Sequence, residues 1–305
     1  MRIIIIDLFK VTDYFLVNIH EDCNQTCSAC YFISLLKRII MLLRIVSIIV
    51  IILVFMSCQN MEDRKIGTEK ERIVAVFAHP DDETTVGPVL AKYANDHDVY
   101  LIIATDGSYG VTDHAGIPEG DSLISIRNKE AACSCKELGI NPPIQLGLID
   151  GMGFYNRGDF YESMSTLKVK LNEEFLRLRP SKVITFGPDG DTGHHDHRLV
   201  GNIVTQVLMS HADYRDIDLY YFGWTKEQAG RFPQWNLGYV AEEYLDTAIP
   251  FSEADEAKAI KSIRCHESQF TQKEFDDWEE IERNDPENTI YFRKATRSSQ
   301  KSSKL

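Results

Sequence analysis

From residue 72 to 222, short apolar runs alternate with longer stretches of helical spacing, and this alternation restricts the chain to few folds. Ile73 to Ala78, Val99 to Thr105, Ile144 to Ile149, Val183 to Phe186 and Ile217 to Phe222 read as strands. Thr84 to Asn95, Ser122 to Leu138, Tyr161 to Leu178 and Asp196 to Met209 read as the helices between them. Gly139 and Pro180 stop the second and third of these helices. Strands and helices in strict alternation predict an α/β domain: a three-layer, Rossmann-like, mostly parallel sheet with helices on both faces. Beyond Phe222 the pattern loosens. Val240 to Ile249 and Thr289 to Arg293 are strand candidates, Glu253 to His266 reads as a helix, and the Ser/Lys-rich tail 297–305 as disordered.

The chain has 305 residues, 44% hydrophobic and 26% charged, enough for one large core. Its net charge is −13. Residues 1–57 hold five Lys/Arg and four Asp/Glu, so the remainder carries −14. An acidic body argues against a surface built to track nucleic-acid phosphates.

The start of the chain differs in kind. Arg44 precedes an apolar run from Ile45 to Met56, and Ser57 and Cys58 follow it. The run is shorter than the ~20 residues of a membrane span, which favours a cleaved lipoprotein signal with a lipid on Cys58. An uncleaved anchor is the alternative. Either arrangement places the body at the cell envelope, on the periplasmic or extracellular face. The expected organisation is a leader and signal peptide over 1–57, a polar tether over 58–71, a catalytic domain over 72–296 and a tail over 297–305. Residues 1–40 read as a start-site misassignment, since Met41 suits a signal start. They contain Cys23, Cys27 and Cys30, spaced like an iron–sulfur loop, but a signal follows where such chemistry needs a barrel. In the body, Cys133, Cys135 and Cys265 are expected as buried thiols, with pairing of one of the first two to Cys265 left open.

The chemistry gathers at two turns. Ala78-His79-Pro80-Asp81-Asp82-Glu83 follows the first strand, and His194-His195-Asp196-His197 follows the fourth. Three carboxylates beside an imidazole repel one another unless a cation neutralises them. In open parallel sheets, ligands sit beyond the carboxyl ends of strands, where both turns lie. His79, Asp82 and His197 can supply two imidazoles and a carboxylate to a metal with one open position. Asp81 can then take a proton from water, His194 can stabilise an oxyanion or protonate the leaving amine, and Asp196 can fix a histidine tautomer.

These residues resemble the LmbE/PIG-L family of zinc-dependent N-acetylglucosamine de-N-acetylases. The first signature is complete at Ala78 to Glu83. The second, usually His-Pro-Asp-His, has His195 in place of proline. Thr105-Asp106-Gly107, Arg127 with Glu130, Leu138-Gly139, Asp150-Gly151 and His266-Glu267-Ser268-Gln269 also match, so the resemblance spans about residues 72–270. It implies zinc on His79, Asp82 and His197, Asp81 as general base, and His194 with Asp196 at the intermediate. It also implies Arg127 near the substrate, and Asp106 is expected to line the site. The implied activity is hydrolysis of a linear amide on an N-acyl amino sugar. An amide on a thiol-sugar conjugate or an N-acylated antibiotic is the alternative substrate. Ferrous iron would suit the same ligands, and a non-catalytic glycan- or metal-binding lipoprotein is the alternative of another class.

Overall fold

The structure, a computed structural model, describes residues 70–152, 159–235 and 237–295, together with 32, 35–36, 38–43 and 45–50. The chain divides into two compact units, residues 1–69 and 70–305. In the first, the described residues between 32 and 50 are helical. Among the described residues, no helix is long and apolar enough to cross a membrane. Cys23, Cys27, Cys30, Cys58, most of the proposed tether and the tail lie outside the described residues.

The second unit is built on a seven-stranded sheet ordered β3-β2-β1-β4-β5-β7-β6. Its strands are β1 Arg72–Phe77, β2 Asp98–Thr105, β3 Ile144–Leu148, β4 Lys182–Phe186, β5 Asp218–Phe222, β6 Thr247–Pro250 and β7 Thr289–Lys294. β1 to β5 pair in parallel, and β7 runs antiparallel to both β5 and β6. The helices are α1 Gly87–Tyr93, α2 Asp121–Leu138, α3 Phe160–Leu178, α4 His195–Ser210, α5 Lys226–Gly230, α6 Glu253–Ile263 and α7 Gln272–Arg283. This is the expected α/β architecture. Side chains alternate across each strand. Ile73, Ala75 and Phe77 therefore join a core layer with α1, α2, α6 and α7. Val74, Val76 and Ala78 join the opposite layer with α3 and α4.

The sheet reverses its order beside β1, with β2 on one side and β4 on the other. A crevice opens at such a switch point because the connections leave in opposite directions. Two sequence expectations change here. The Val240 to Ile249 stretch is mostly irregular: Glu242–Tyr244 is a 3-10 turn and the strand begins only at Thr247. The helix expected from Thr84 is a 3-10 turn, Asp82–Val86, followed by α1. Pro88 sits in the first turn of α1, where its missing N–H costs no hydrogen bond.

Candidate active site

The two acidic, histidine-bearing turns leave the carboxyl ends of β1 and β4, which are neighbours in the sheet. His79 and His197, 118 residues apart, thereby come to 3.2 Å between Nδ1 and Nε2. Asp82 completes the group. Its Oδ1 lies 3.1 Å from His197 Nε2 and its Oδ2 3.5 Å from His79 Nδ1. The carboxylate is held there by the Ala78 and His79 amides, which donate to Oδ2 at 2.9 and 2.8 Å.

The far side of each imidazole fixes its tautomer. His197 Nδ1 donates to Gly190 O at 3.1 Å. His79 Nε2 faces Asp196 Oδ2 and Asp150 Oδ1, both at 3.3 Å. Protons at those two positions leave lone pairs on His79 Nδ1 and His197 Nε2. With both rings neutral, those lone pairs and an Asp82 oxygen converge in a buried pocket; burial opposes charge on His79, but Asp82, Asp150 and Asp196 raise its pKa well above the usual value, so the site calls for positive charge. A cation supplies it. A tetrahedron with bonds of about 2.0–2.1 Å has edges of roughly 3.3 Å, and the observed separations are 3.1, 3.2 and 3.5 Å. The donor set therefore fits a metal ion, with carboxylates behind His79 as in other metal centres. Phe186 stacks on the His197 ring at 4.2 Å and restrains its plane. Gly201 lets α4 approach β4 this closely, since a Cβ there would meet Phe186 O at 2.2 Å.

His194 caps α4 and accepts from the Asp196 amide through Nδ1 at 3.2 Å. Its neutral ring must then carry the proton on Nε2, toward the cavity that it lines. Burial, reinforced by His79 and His197, pushes its pKa down to about 4. The ring is thus a neutral donor at physiological pH. It also lies close enough to His79 and His197 to approach the same ion. His195 stacks on His194 at 4.4 Å, at the place where the resemblance led us to expect proline.

Asp81 lines the cavity at the turn. Burial raises its carboxyl pKa, Arg127 opposes that, and Asp82 adds to it. A raised pKa suits a general base. Its backbone takes φ 156° and ψ −17°, a conformation uncommon for a residue with a side chain. Arg127 holds it there. One guanidinium nitrogen donates to both Asp81 Oδ1 (3.0 Å) and Pro80 O (3.1 Å), and the other donates to Gly107 O (3.1 Å). Gly107 makes room: its φ is +66° and a Cβ would lie 2.7 Å from the guanidinium. Arg127 is also part of the cavity wall, where it was expected near the substrate; it is 2% exposed and its hydrogen bonds go to this turn and its neighbour.

Asp106 requires a correction. It is not part of the cavity wall. Its Oδ1 accepts from the Ser108 and Asp150 amides at 3.0 and 3.2 Å, so the carboxylate ties two loops together instead of facing the cavity. Asp150, given no role from sequence, is the residue that reaches His79. Burial works against its ionisation, but the bond to His79 prevails and its pKa falls to about 2. Its signal was available: it follows β3, at the same end of the sheet as the other turns.

Glu83 turns away from the cavity. It accepts from Ser134 Oγ and from His266 Nε2, the latter at 2.8 Å, and all three residues are fully buried. Next to Ser134 and His266 stand Cys133 and Cys265, which form a disulfide with Cα atoms 5.8 Å apart. This corrects the expectation of free thiols for that pair; Cys135 remains free and buried. Removing one member of a buried charged pair leaves the other uncompensated. Glu83→Ala is expected to lower unfolding free energy by about 3–5 kcal/mol in urea melts.

The cavity measures about 420 Å³. Four aromatic residues, Trp224, Trp235, Phe270 and Trp278, also line it.

A family model described as GlcNAc-PI de-N-acetylase (PIG-L) matches residues 74–208. The chain is similar to a 1D-myo-inositol 2-acetamido-2-deoxy-alpha-D-glucopyranoside deacetylase of Mycolicibacterium vanbaalenii. The two are 31% identical over an alignment of 225 residues, and the match covers 66% of this chain and 77% of the relative. Among solved structures, N,N'-diacetylchitobiose deacetylase from Pyrococcus horikoshii matches with TM-score 0.53 and 20% identity, over 76% of this chain and 86% of that one. The 4-carboxy-2-hydroxymuconate hydratase GalB of Pseudomonas putida matches with TM-score 0.55 and 15% identity, over 76% of this chain and 99% of that one. Likeness at these identities concerns the fold alone, and a fold hosts many chemistries.

Proposed function

This chain belongs to the PIG-L (LmbE-like) family of deacetylases, and on that premise we propose that it removes the acetyl group from an N-acetylglucosamine-type amino sugar using a bound zinc ion. The observation that carries this reading is the convergence of His79 Nδ1, His197 Nε2 and Asp82 beside Asp81. Held by those three side chains, zinc would supply a Lewis acid and lower the pKa of water in the site.

The protein's own groups do the rest. Asp81 takes the proton from the attacking water and passes it to the departing amine, so that one amide and one water become an amine and a carboxylic acid. Arg127 keeps that carboxylate aimed at the cavity. His194 donates from Nε2 to the oxygen on which charge develops. Asp196 and Asp150 hold the His79 ring, and Asp196 Oδ2 also accepts from the Gly151 amide at 2.9 Å.

Two outcomes follow for single residues. Loss of one oxyanion donor costs about 10²–10³ in kcat, so His194→Ala should fall by that much in steady-state assays while retaining its metal. Arg127 opposes the raised pKa of Asp81. The base must be ionised to work, so activity disappears as pH falls through that pKa. Arg127→Met should therefore move the acid limb of the kcat/KM profile to higher pH. An unmoved limb would show that Arg127 does not act on the base.

We also propose that the body is exported and held at the cell envelope by a lipid on Cys58. The signal-like run before Cys58 supports this. So does the Cys133–Cys265 disulfide, which suits an oxidising compartment. Mass spectrometry of the mature N-terminus tests it, and a chain intact upstream of Cys58 would end it. The activity itself is tested by acetate release from N-acetylated mono- and oligosaccharides with and without chelator. Release that chelator abolishes is expected; none from any such sugar would refute the assignment.

A further inference from the structure

The loop between α6 and α7, residues 264–271, is fastened along one face of α2. Arg127, Glu130 and Ser134 are buried in α2 at spacings of three and four, so they share that face. Ser268 donates to Glu130 through its amide at 2.7 Å and through Oγ at 2.6 Å. Ser134 Oγ and His266 Nε2 both donate to Glu83 Oε1, so Glu83 joins α2 to the loop. Arg127 and Gln269 both crowd Gly110, where a Cβ would meet the guanidinium at 2.3 Å and Gln269 Oε1 at 3.2 Å. At the far end of this row, Cys133 and Cys265 form the disulfide. The row is polar and reversible along its length and covalent at that one end.

The loop's other end enters the cavity, which Gln269 and Phe270 line. Gln269 Nε2 donates to Gly110 O at 3.1 Å, and Thr112 Oγ1 donates to Ser268 O at 2.7 Å. The loop therefore also holds the stretch 109–112, from which Tyr109 and Gly110 line the cavity. The metal-facing groups stand on other supports. His79, Asp82 and His197 follow β1 and β4, and the amides that hold Asp82 belong to its own turn. Residues 264–271 form turns, with neither helix nor strand. Ordering such a segment costs conformational entropy, and a cross-link lowers that cost. Cys133 is exposed and Cys265 half-buried, so a reductant can reach the bridge, whereas Cys135 is buried.

Resting on the deacetylase reading, we propose that the Cys133–Cys265 disulfide positions the 264–271 loop for substrate, so that substrate affinity depends on the redox state of this pair. A dithiol opens the bridge by exchange: the S–S bond breaks, each cysteine sulfur takes a proton, and the dithiol becomes a disulfide. The oxidised protein binds substrate well. The reduced protein keeps its metal and binds substrate poorly. A bridge that only stabilised the fold would change the melting temperature and leave KM alone.

The test compares zinc-loaded protein before and after treatment with a water-soluble phosphine, at a temperature where circular dichroism shows both forms folded. One phosphine and one water open the bridge to two thiols and a phosphine oxide, and thiol titration confirms the opening. Reduction should raise KM for an N-acetylglucosamine glycoside about tenfold, the scale of one or two lost hydrogen bonds, with kcat within about twofold and zinc retained. Amide hydrogen exchange over 266–270 should rise at the same time, and reoxidation should reverse both changes. Cys133→Ser/Cys265→Ser protein should show the high KM and ignore the phosphine. Unchanged exchange or an unchanged KM in the reduced protein overturns the proposal. So does loss of zinc on reduction, which would make the bridge a support of the metal centre. If the oxidised protein releases no acetate from any such glycoside, the deacetylase reading fails on its own. A rise in exchange would then still support the fastening of the loop by the bridge, and unchanged exchange would still overturn it.

Discussion

Asp81→Asn should lose about 10²–10⁴ in kcat while keeping its metal, since that is the usual contribution of a positioned acid–base group. Asparagine preserves the shape and still offers an oxygen to Arg127, so the turn is kept. What goes is the ability to accept a proton. KM should change little, because nothing in the substrate contact is removed. Single-turnover acetate release with metal analysis of the same sample checks this. A variant that retains wild-type kcat would exclude Asp81 as the base, and one that loses its metal would make the residue part of the metal centre.

His197→Ala should lose stoichiometric zinc and bring acetate release down to background. The ring supplies one of the three converging donors, and it is fixed on one side by Gly190 O and on its face by Phe186. Alanine leaves two donors, too few for a metal in a structured site. The removed ring also leaves a gap against Phe186, so circular dichroism should accompany the metal measurement to confirm a folded protein. A folded variant that still binds one zinc and works at an undiminished rate would exclude His197 as a ligand.

The fold was legible because its signals are local. Ile73 to Phe77 is apolar throughout because both its faces are covered, and the turn after it is acidic within six residues. The meeting of His79 with His197 followed from a general rule about the carboxyl ends of parallel strands. What escaped depended on where side chains point or on distance. Asp106 stands at the right end of β2, yet its carboxylate bends back onto its own loop. Glu83 finds its partners 51 and 183 residues away, on α2 and after α6. The Cys133–Cys265 bridge closes 132 residues, and no spacing rule separates Cys133 from Cys135 as its partner. The last helix was legible and was missed. Phe275, Trp278 and Ile281 recur at helical spacing, behind a capping box of Thr271 and Glu274. The helix is otherwise so polar that its apolar stripe is thin. That stripe contributes Trp278 to the cavity lining.

The measurement that bears most directly on the whole account is acetate release by chelator-stripped protein titrated with zinc, using an N-acetylglucosamine glycoside as substrate. Convergence of His79, Asp82 and His197 on one ion predicts no release from the stripped protein and a linear recovery that stops at one equivalent of zinc per chain. Full release from metal-free protein, or protein that takes up zinc and stays inactive on every such glycoside, would contradict it.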